Sequence, residues 1–120
     1  MGISEENKVL CGANSYSQKY YLNPEFDKLP EQIKDELKIM CVLFTEDIGG
    51  VLTLLFDSEG DLKFNVDAAD EDYLFDEIGC GLKIKDMQIK YRELLESVQL
   101  FYKVMILKDP KWINELKRSE

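Results

Sequence analysis

The sequence predicts an α+β domain, in which a three-stranded antiparallel sheet is packed by a central helix and a long C-terminal helix. Three observations carry this reading. Ile84, Met87, Tyr91, Leu94, Val98, Phe101 and Met105 recur at steps of 3 and 4, the a/d spacing of a helix whose seam faces another helix. Residues 51–56 and 62–66 alternate with period 2 on either side of a glycine-ended turn. Between them and the N-terminal third, residues 31–47 carry Ile33, Leu37, Met40 and Phe44 at helical spacing. The predicted order is β-α-β-β-α, followed by a short terminal helix.

In chain order, residues 1–14 are polar apart from Val9 and Leu10 and are expected to fray. Tyr16, Gln18, Tyr20 and Leu22 alternate with Ser17, Lys19 and Tyr21, which predicts an edge strand over 16–22. Asn23-Pro24 ends it, because proline has no N–H to donate. Pro30 opens the central helix at its first position, with Glu31 where the macrodipole favours an anion. Residues 39–44 are apolar without a break, which predicts a helix covered on more than one side. Met40, Cys41 and Phe44 are expected to be almost fully buried. Gly49-Gly50 supply its stop.

The hairpin is the clearest local signal. Asp57-Ser58-Glu59-Gly60 reads as a type I turn with Gly60 in the left-handed position. The first hairpin strand is apolar on both faces and so belongs inside the sheet; the second has a polar face. Asp70 or Asp72 is expected to cap a helix through Tyr73-Leu74-Phe75, which Gly79-Cys80-Gly81 bends or breaks. The long helix is expected over 83–108, where unbroken it would span about 39 Å. A compact domain of this size is roughly 35 Å across. Pro110 stops the helix and opens a short terminal one with Trp112, Ile113 and Leu116 on one face. One domain over 1–120 accounts for the length, with 110–120 as the short terminal helix.

The charge narrows the partners. Net charge is −9 and the sequence holds no histidine, the commonest general base and metal ligand. Residues 1–82 carry 6 basic against 18 acidic groups, and residues 83–120 carry 9 against 6. An acidic surface repels phosphate backbones and anionic lipid, so neither nucleic acid nor membrane is an expected partner. The basic C-terminal segment could pair with an acidic one, within or between subunits. Cys11, Cys41 and Cys80 are odd in number and unpatterned; with no signal peptide they read as free thiols in the cytoplasm. No apolar run approaches the roughly 20 residues of a membrane helix.

Candidate chemistry is sparse. Asp67, Asp70, Glu71, Asp72, Asp76 and Glu77 lack calcium-loop spacing and read as helix caps, so no metal is expected. Cys80 stands between two glycines without a base to activate it, and Cys41 lies in the apolar run. No cofactor motif stands out, and no catalytic residue is assigned. Tyr16, Tyr20, Tyr21 and Phe26 cluster near the N-terminus; Tyr16, Tyr20 and Phe64 are the residues that would line a pocket between sheet and helix.

The strings Cys-Gly-Ala-Asn-Ser-Tyr (11–16), Lys-Tyr-Tyr-Leu-Asn-Pro-Glu-Phe (19–26), Leu-Pro-Glu-Gln-Ile-Lys-Asp-Glu-Leu (29–37) and Phe-Asp-Glu-Ile-Gly (75–79) resemble a family of short uncharacterised bacterial proteins, a domain of unknown function. The resemblance spans about residues 5–107 and implies a bacterial cytosolic origin. It supplies no activity, so no site residue is carried over.

The expected function is therefore a non-catalytic cytosolic protein–protein interaction or chaperone-like module acting as a homodimer. The comparison with small acidic export chaperones is one of architecture only. The interface is expected on Tyr91, Leu94, Val98, Phe101, Met105 and Trp112, because one domain cannot cover the whole seam. Any further partner would be a neutral or basic protein. The alternative is a regulatory domain with a small ligand held between sheet and helix.

Overall fold

The computed structural model describes residues 7–106. Strands β1 (Lys8–Asn14) and β2 (Lys19–Leu22) form a first hairpin, and a 3-10 turn (Pro24–Phe26) leads into helix α1 (Glu31–Ile48). Strands β3 (Val51–Phe56) and β4 (Leu62–Asp67) form the second hairpin. Helices α2 (Glu77–Lys90) and α3 (Arg92–Phe101) follow, and a π-helical turn spans Tyr102–Ile106.

The class is α+β, but the sheet has four strands, not three, in the antiparallel order β2-β1-β3-β4. The added strand, β1, occupies residues expected to fray. Its period is hidden by a bulge between Val9 and Cys11, which puts Leu10 and Cys11 both into the core. Gly12 reads as a breaker in sequence. In the sheet it is a close approach: a Cβ there would stand 2.7 Å from the Leu52 carbonyl oxygen of β3. The expected edge strand over 16–22 is shorter. Residues 15–18 make the turn, where Asn14 Oδ1 accepts from the Tyr16 and Ser17 N–H groups. β2 does lie at an edge, and β3 lies inside the sheet.

One face of the sheet carries cross-strand rows Leu22–Cys11–Leu54–Phe64 and Tyr20–Ala13–Leu52–Val66. These residues join one apolar core with Leu37, Met40, Cys41 and Phe44 of α1 and Met87, Leu94, Leu95 and Val98 of α2 and α3. Met40, Cys41 and Phe44 are fully buried. Each such large side chain contributes roughly 1.5–3 kcal/mol by leaving water. Phe56, Tyr102 and Phe26 stack beside them, with Phe56 and Tyr102 parallel at 4.0 Å. Gln99 accepts the Leu62 N–H and Lys103 pairs with Asp61, so the end of α3 is tied to β4.

The second hairpin forms as expected. Gly60 takes φ 86°, and Asp57 Oδ1 accepts from the Glu59 and Asp61 N–H groups. The run 39–44 is covered on more than one side, by the sheet and by α2 and α3, while Ile39 and Leu43 are exposed. Three expectations are corrected. Pro30 is the residue before α1, not its first residue. Residues 73–75 lie in a loop; Asp76 caps α2 instead, its Oδ1 accepting from Gly79 N, so both glycines fall in the first turns of the helix. A helix start tolerates glycine because its first N–H groups need a cap rather than a preceding turn. The helix expected over 83–108 begins at Glu77 and is interrupted at Tyr91, with φ −108° and ψ 27°. The break keeps the 3-4 seam on the domain's own core instead of overhanging it. The expected terminal helix over 110–120 lies outside the described residues.

Candidate functional site

The three pocket residues do not converge. Tyr20 lines a hollow of 680 Å³ between the first hairpin and α1, together with Asn14, Gln18, Lys38, Thr45 and Glu46. Tyr16 is elsewhere. Its hydroxyl donates to Asp72 at 2.6 Å and accepts from Ala69 N at 3.0 Å, clipping the 68–76 loop to the first hairpin. The Asp72 carboxylate, first among the causes, holds the Tyr16 hydroxyl above its usual pKa. Phe64 lies on β4, at the opposite edge of the sheet from β2, in the other cross-strand row.

Tyr20 points past the hollow toward two buried thiols. Its hydroxyl is buried and reaches no hydrogen-bond partner among the described residues. Burial first, then the Cys11 and Cys41 thiols, push that hydroxyl far above its usual range. Cys11 and Cys41 stand Sγ to Sγ at 3.8 Å, and all three cysteines are free. The contact with Cys11, then burial, drives the Cys41 thiol upward in the same way. Cys80 is also buried; burial, then Asp76 and Glu77, raise it. A raised thiol is a poor nucleophile near neutral pH.

The acidic stretch is divided among separate tasks. Asp67 accepts from Asn65, Asp72 from Tyr16, and Asp76 caps α2. Among the described residues no group of three or more carboxylates or thiols comes together to hold a metal. No helix among them is long and apolar enough to cross a membrane.

Of the interface candidates, Leu94 and Val98 are buried within the chain's own core. Tyr91 and Phe101 are half-buried against it, and Met105 is half exposed. Trp112 lies outside the described residues.

The exposed apolar surface is a different one. α1 and α2 lie antiparallel: Asp47 pairs with Lys83 at 3.2 Å, while Glu36 lines one hollow with Ile89 and Lys90. Cys80, Ile84, Met87 and Tyr91 face inward from α2. Half a turn round, Ile78, Leu82 and Ile89 are 79%, 65% and 70% exposed. On α1, Ile39 and Leu43 are 54% and 44% exposed on the same outer layer. Sequence reasoning passed over this face because the regular 3-4 seam dominates the pattern. The available signal was a second helical stripe at 78, 82 and 89, broken only by Lys85.

A family model described as a family of unknown function (DUF6145) matches residues 7–110. The chain belongs to this family. The match opens at β1, the strand hidden from the periodicity, and includes every element described here. All five outward aliphatic residues fall within it. No curated protein and no solved structure matches the chain.

Proposed function

We propose that this member of the family is a non-catalytic protein–protein interaction module of the cytoplasm, chaperone-like in that it offers an apolar surface to another protein. The observation that carries the reading is the outer face of α1 and α2, where five large aliphatic side chains stand in solvent. Contiguous apolar patches of this kind mark contact surfaces on soluble proteins. The surrounding charge is of both signs, which suits a protein partner rather than a phosphate polymer or an anionic lipid.

A photo-reactive amino acid at position 82 tests it, with position 63 on β4 as control. The expected result in cells of the native host is a discrete protein adduct from position 82 and none from position 63. Equal labelling, or none from position 82, rejects the reading.

A second reading, a regulatory domain for a small ligand, draws on the 680 Å³ hollow and the unpartnered Tyr20 hydroxyl. It is the weaker one, because the hydroxyl turns toward the thiols and Tyr16 and Phe64 are absent from the lining. A ligand that raises the melting temperature of the wild type and not of Lys38→Ala would favour it.

A further inference from the structure

We infer that the outer face of α1 and α2 is occupied by a second copy of this chain, with α1 of each copy lying over α2 of the other. This rests on reading that face as the contact surface. What points to a second copy is its charge. α1 carries five carboxylates against two lysines, whereas α2 carries three lysines against two carboxylates and is followed at once by Arg92. The charged groups that flank the apolar residues are exposed on both helices: Asp35 and Glu46 on α1, Lys85, Asp86 and Lys90 on α2, and Arg92 at the start of α3. The α1 half is net acidic and the α2 half, Asp86 included, is net basic, so the face is complementary to itself in net charge.

A two-fold dimer repeats every contact, residue i to j and j to i. Only two face-to-face arrangements keep the helices aligned. With the axis across the helices, α1 meets α1 and α2 meets α2, which sets acid against acid. With the axis along the helices, α1 meets α2 and the charges oppose correctly. The antiparallel pairing of α1 with α2 then fixes heights. Asp47 lies within side-chain reach of Lys83, and Glu36 lines one hollow with Ile89 and Lys90, which sets the heights to within about a turn. Ile89 therefore comes within about a turn of Ile39 of the second copy, and Leu82 within about a turn of its Leu43 and Glu46. Lys85 comes within a turn of Glu46 of the second copy, and Arg92 within a turn of its Asp35. The result is a four-helix layer between two sheets, with apolar residues at the centre and ion pairs at the rim. This face replaces the 3-4 seam as the interface, because Leu94 and Val98 are spent inside the chain.

Sedimentation equilibrium over about 1–200 µM decides the matter. The expected mass is twice that of the 14.0 kDa chain. Ile89→Glu is expected to give the single-chain mass with an unchanged circular dichroism spectrum, because Ile89 touches little in its own chain. Lys85→Glu and Glu46→Lys act at two symmetric sites, and each is expected to weaken the dimer about tenfold. The double variant Lys85→Glu/Glu46→Lys is expected to recover to within about threefold of the wild type. A single-chain mass throughout overturns the second copy, while the adduct from position 82 judges the contact-surface reading separately. An adduct at position 82 with a different protein, from a single-chain species, assigns the face to a foreign partner and likewise overturns it. A dimer that survives Ile89→Glu, or a double variant no better than the worse single one, overturns the pairing of α1 with α2.

Discussion

α2 and α3 are successive helices that share one inward stripe and differ on the outside. Inward, Cys80, Ile84 and Met87 of α2 are continued by Leu94, Leu95 and Val98 of α3, all packed on the same core. Outward, α3 presents Arg92, Glu93, Glu96 and Ser97, all exposed. α2 presents Ile78, Leu82 and Ile89 in the equivalent position. α3 is thus the ordinary surface helix with one apolar side, and α2 has two. Its own domain covers only one of those sides. Regular spacing therefore does not mark the side left outside. The more regular stripe went to the domain's core, and the less regular one stands in solvent.

The largest effect tests the wall on which both helices pack. Phe44→Ala is expected to cost about 3–5 kcal/mol in urea unfolding, since the ring is fully buried beside α2 and α3. A loss below about 1 kcal/mol would mean that α1 is peripheral and that the inward stripes have no common wall.

Next in size are the inward stripes themselves. Met87→Ala on α2 and Leu94→Ala on α3 are each expected to cost about 2–4 kcal/mol, because both side chains are buried in the one core. Similar losses would show that the break at Tyr91 leaves the seam continuous. If Met87→Ala were nearly silent, α2 would be attached only through its exposed side, and the contrast between the helices would fail.

The outward stripe should behave oppositely. Leu82→Gln is expected to change single-chain stability by no more than about 0.5 kcal/mol at the lowest workable concentration. The wild type should show a melting temperature that rises with concentration, and Leu82→Gln should not, because association stabilises only the form that can associate. A large loss for Leu82→Gln at low concentration would mean that the face is covered within the chain.

How much of this was legible follows from how each element encodes itself. The second hairpin is written locally, by alternation and by a turn that needs Gly60, so it can be read without tertiary knowledge. α1 is written by its periodic buried residues, and its core positions emerge correctly. β1 is not, because a bulge destroys the alternation at Val9–Cys11 and Gly12 looks like a stop when it is a packing requirement. The start of α2 is hidden by glycines whose role is set by the Asp76 cap. For the site, residue types were legible but their partners were not. Tyr16 and Tyr20 are neighbours in an alternating string, yet one closes a loop at Ala69 and Asp72, 53 and 56 residues away, and the other enters the thiol pair. Which apolar stripe remains outside depends on the break at Tyr91, and no residue there announces a break.

The smallest effect separates charge from geometry at the hairpin turn that carries β4 back beside β3. Asp57 accepts the Glu59 and Asp61 N–H groups and stands 3.7 Å from Lys63. The hydrogen bond from Asp61, the largest cause, holds its carboxyl below the usual value of 3.8; burial, next in size, opposes it, and the hydrogen bond from Glu59 and the charge of Lys63 add to the lowering. The sign follows from linkage. A carboxyl whose pKa is lower folded than unfolded adds stability that is complete above the unfolded value and disappears as pH falls through the folded one. Asp57→Asn keeps an oxygen to accept both N–H groups and removes the charge. At pH 7 it is expected to cost less than about 1 kcal/mol, in keeping with an exposed turn. As pH is lowered from 5 to 2, the wild type should lose that advantage and the two unfolding curves should converge. Curves that stay equally far apart at pH 2 would show that the turn is held by oxygen geometry alone. A partly exposed charge would then matter little even where its surroundings are polar, and the ion pairs proposed at the rim of α2 would have to yield their specificity to the apolar residues between them.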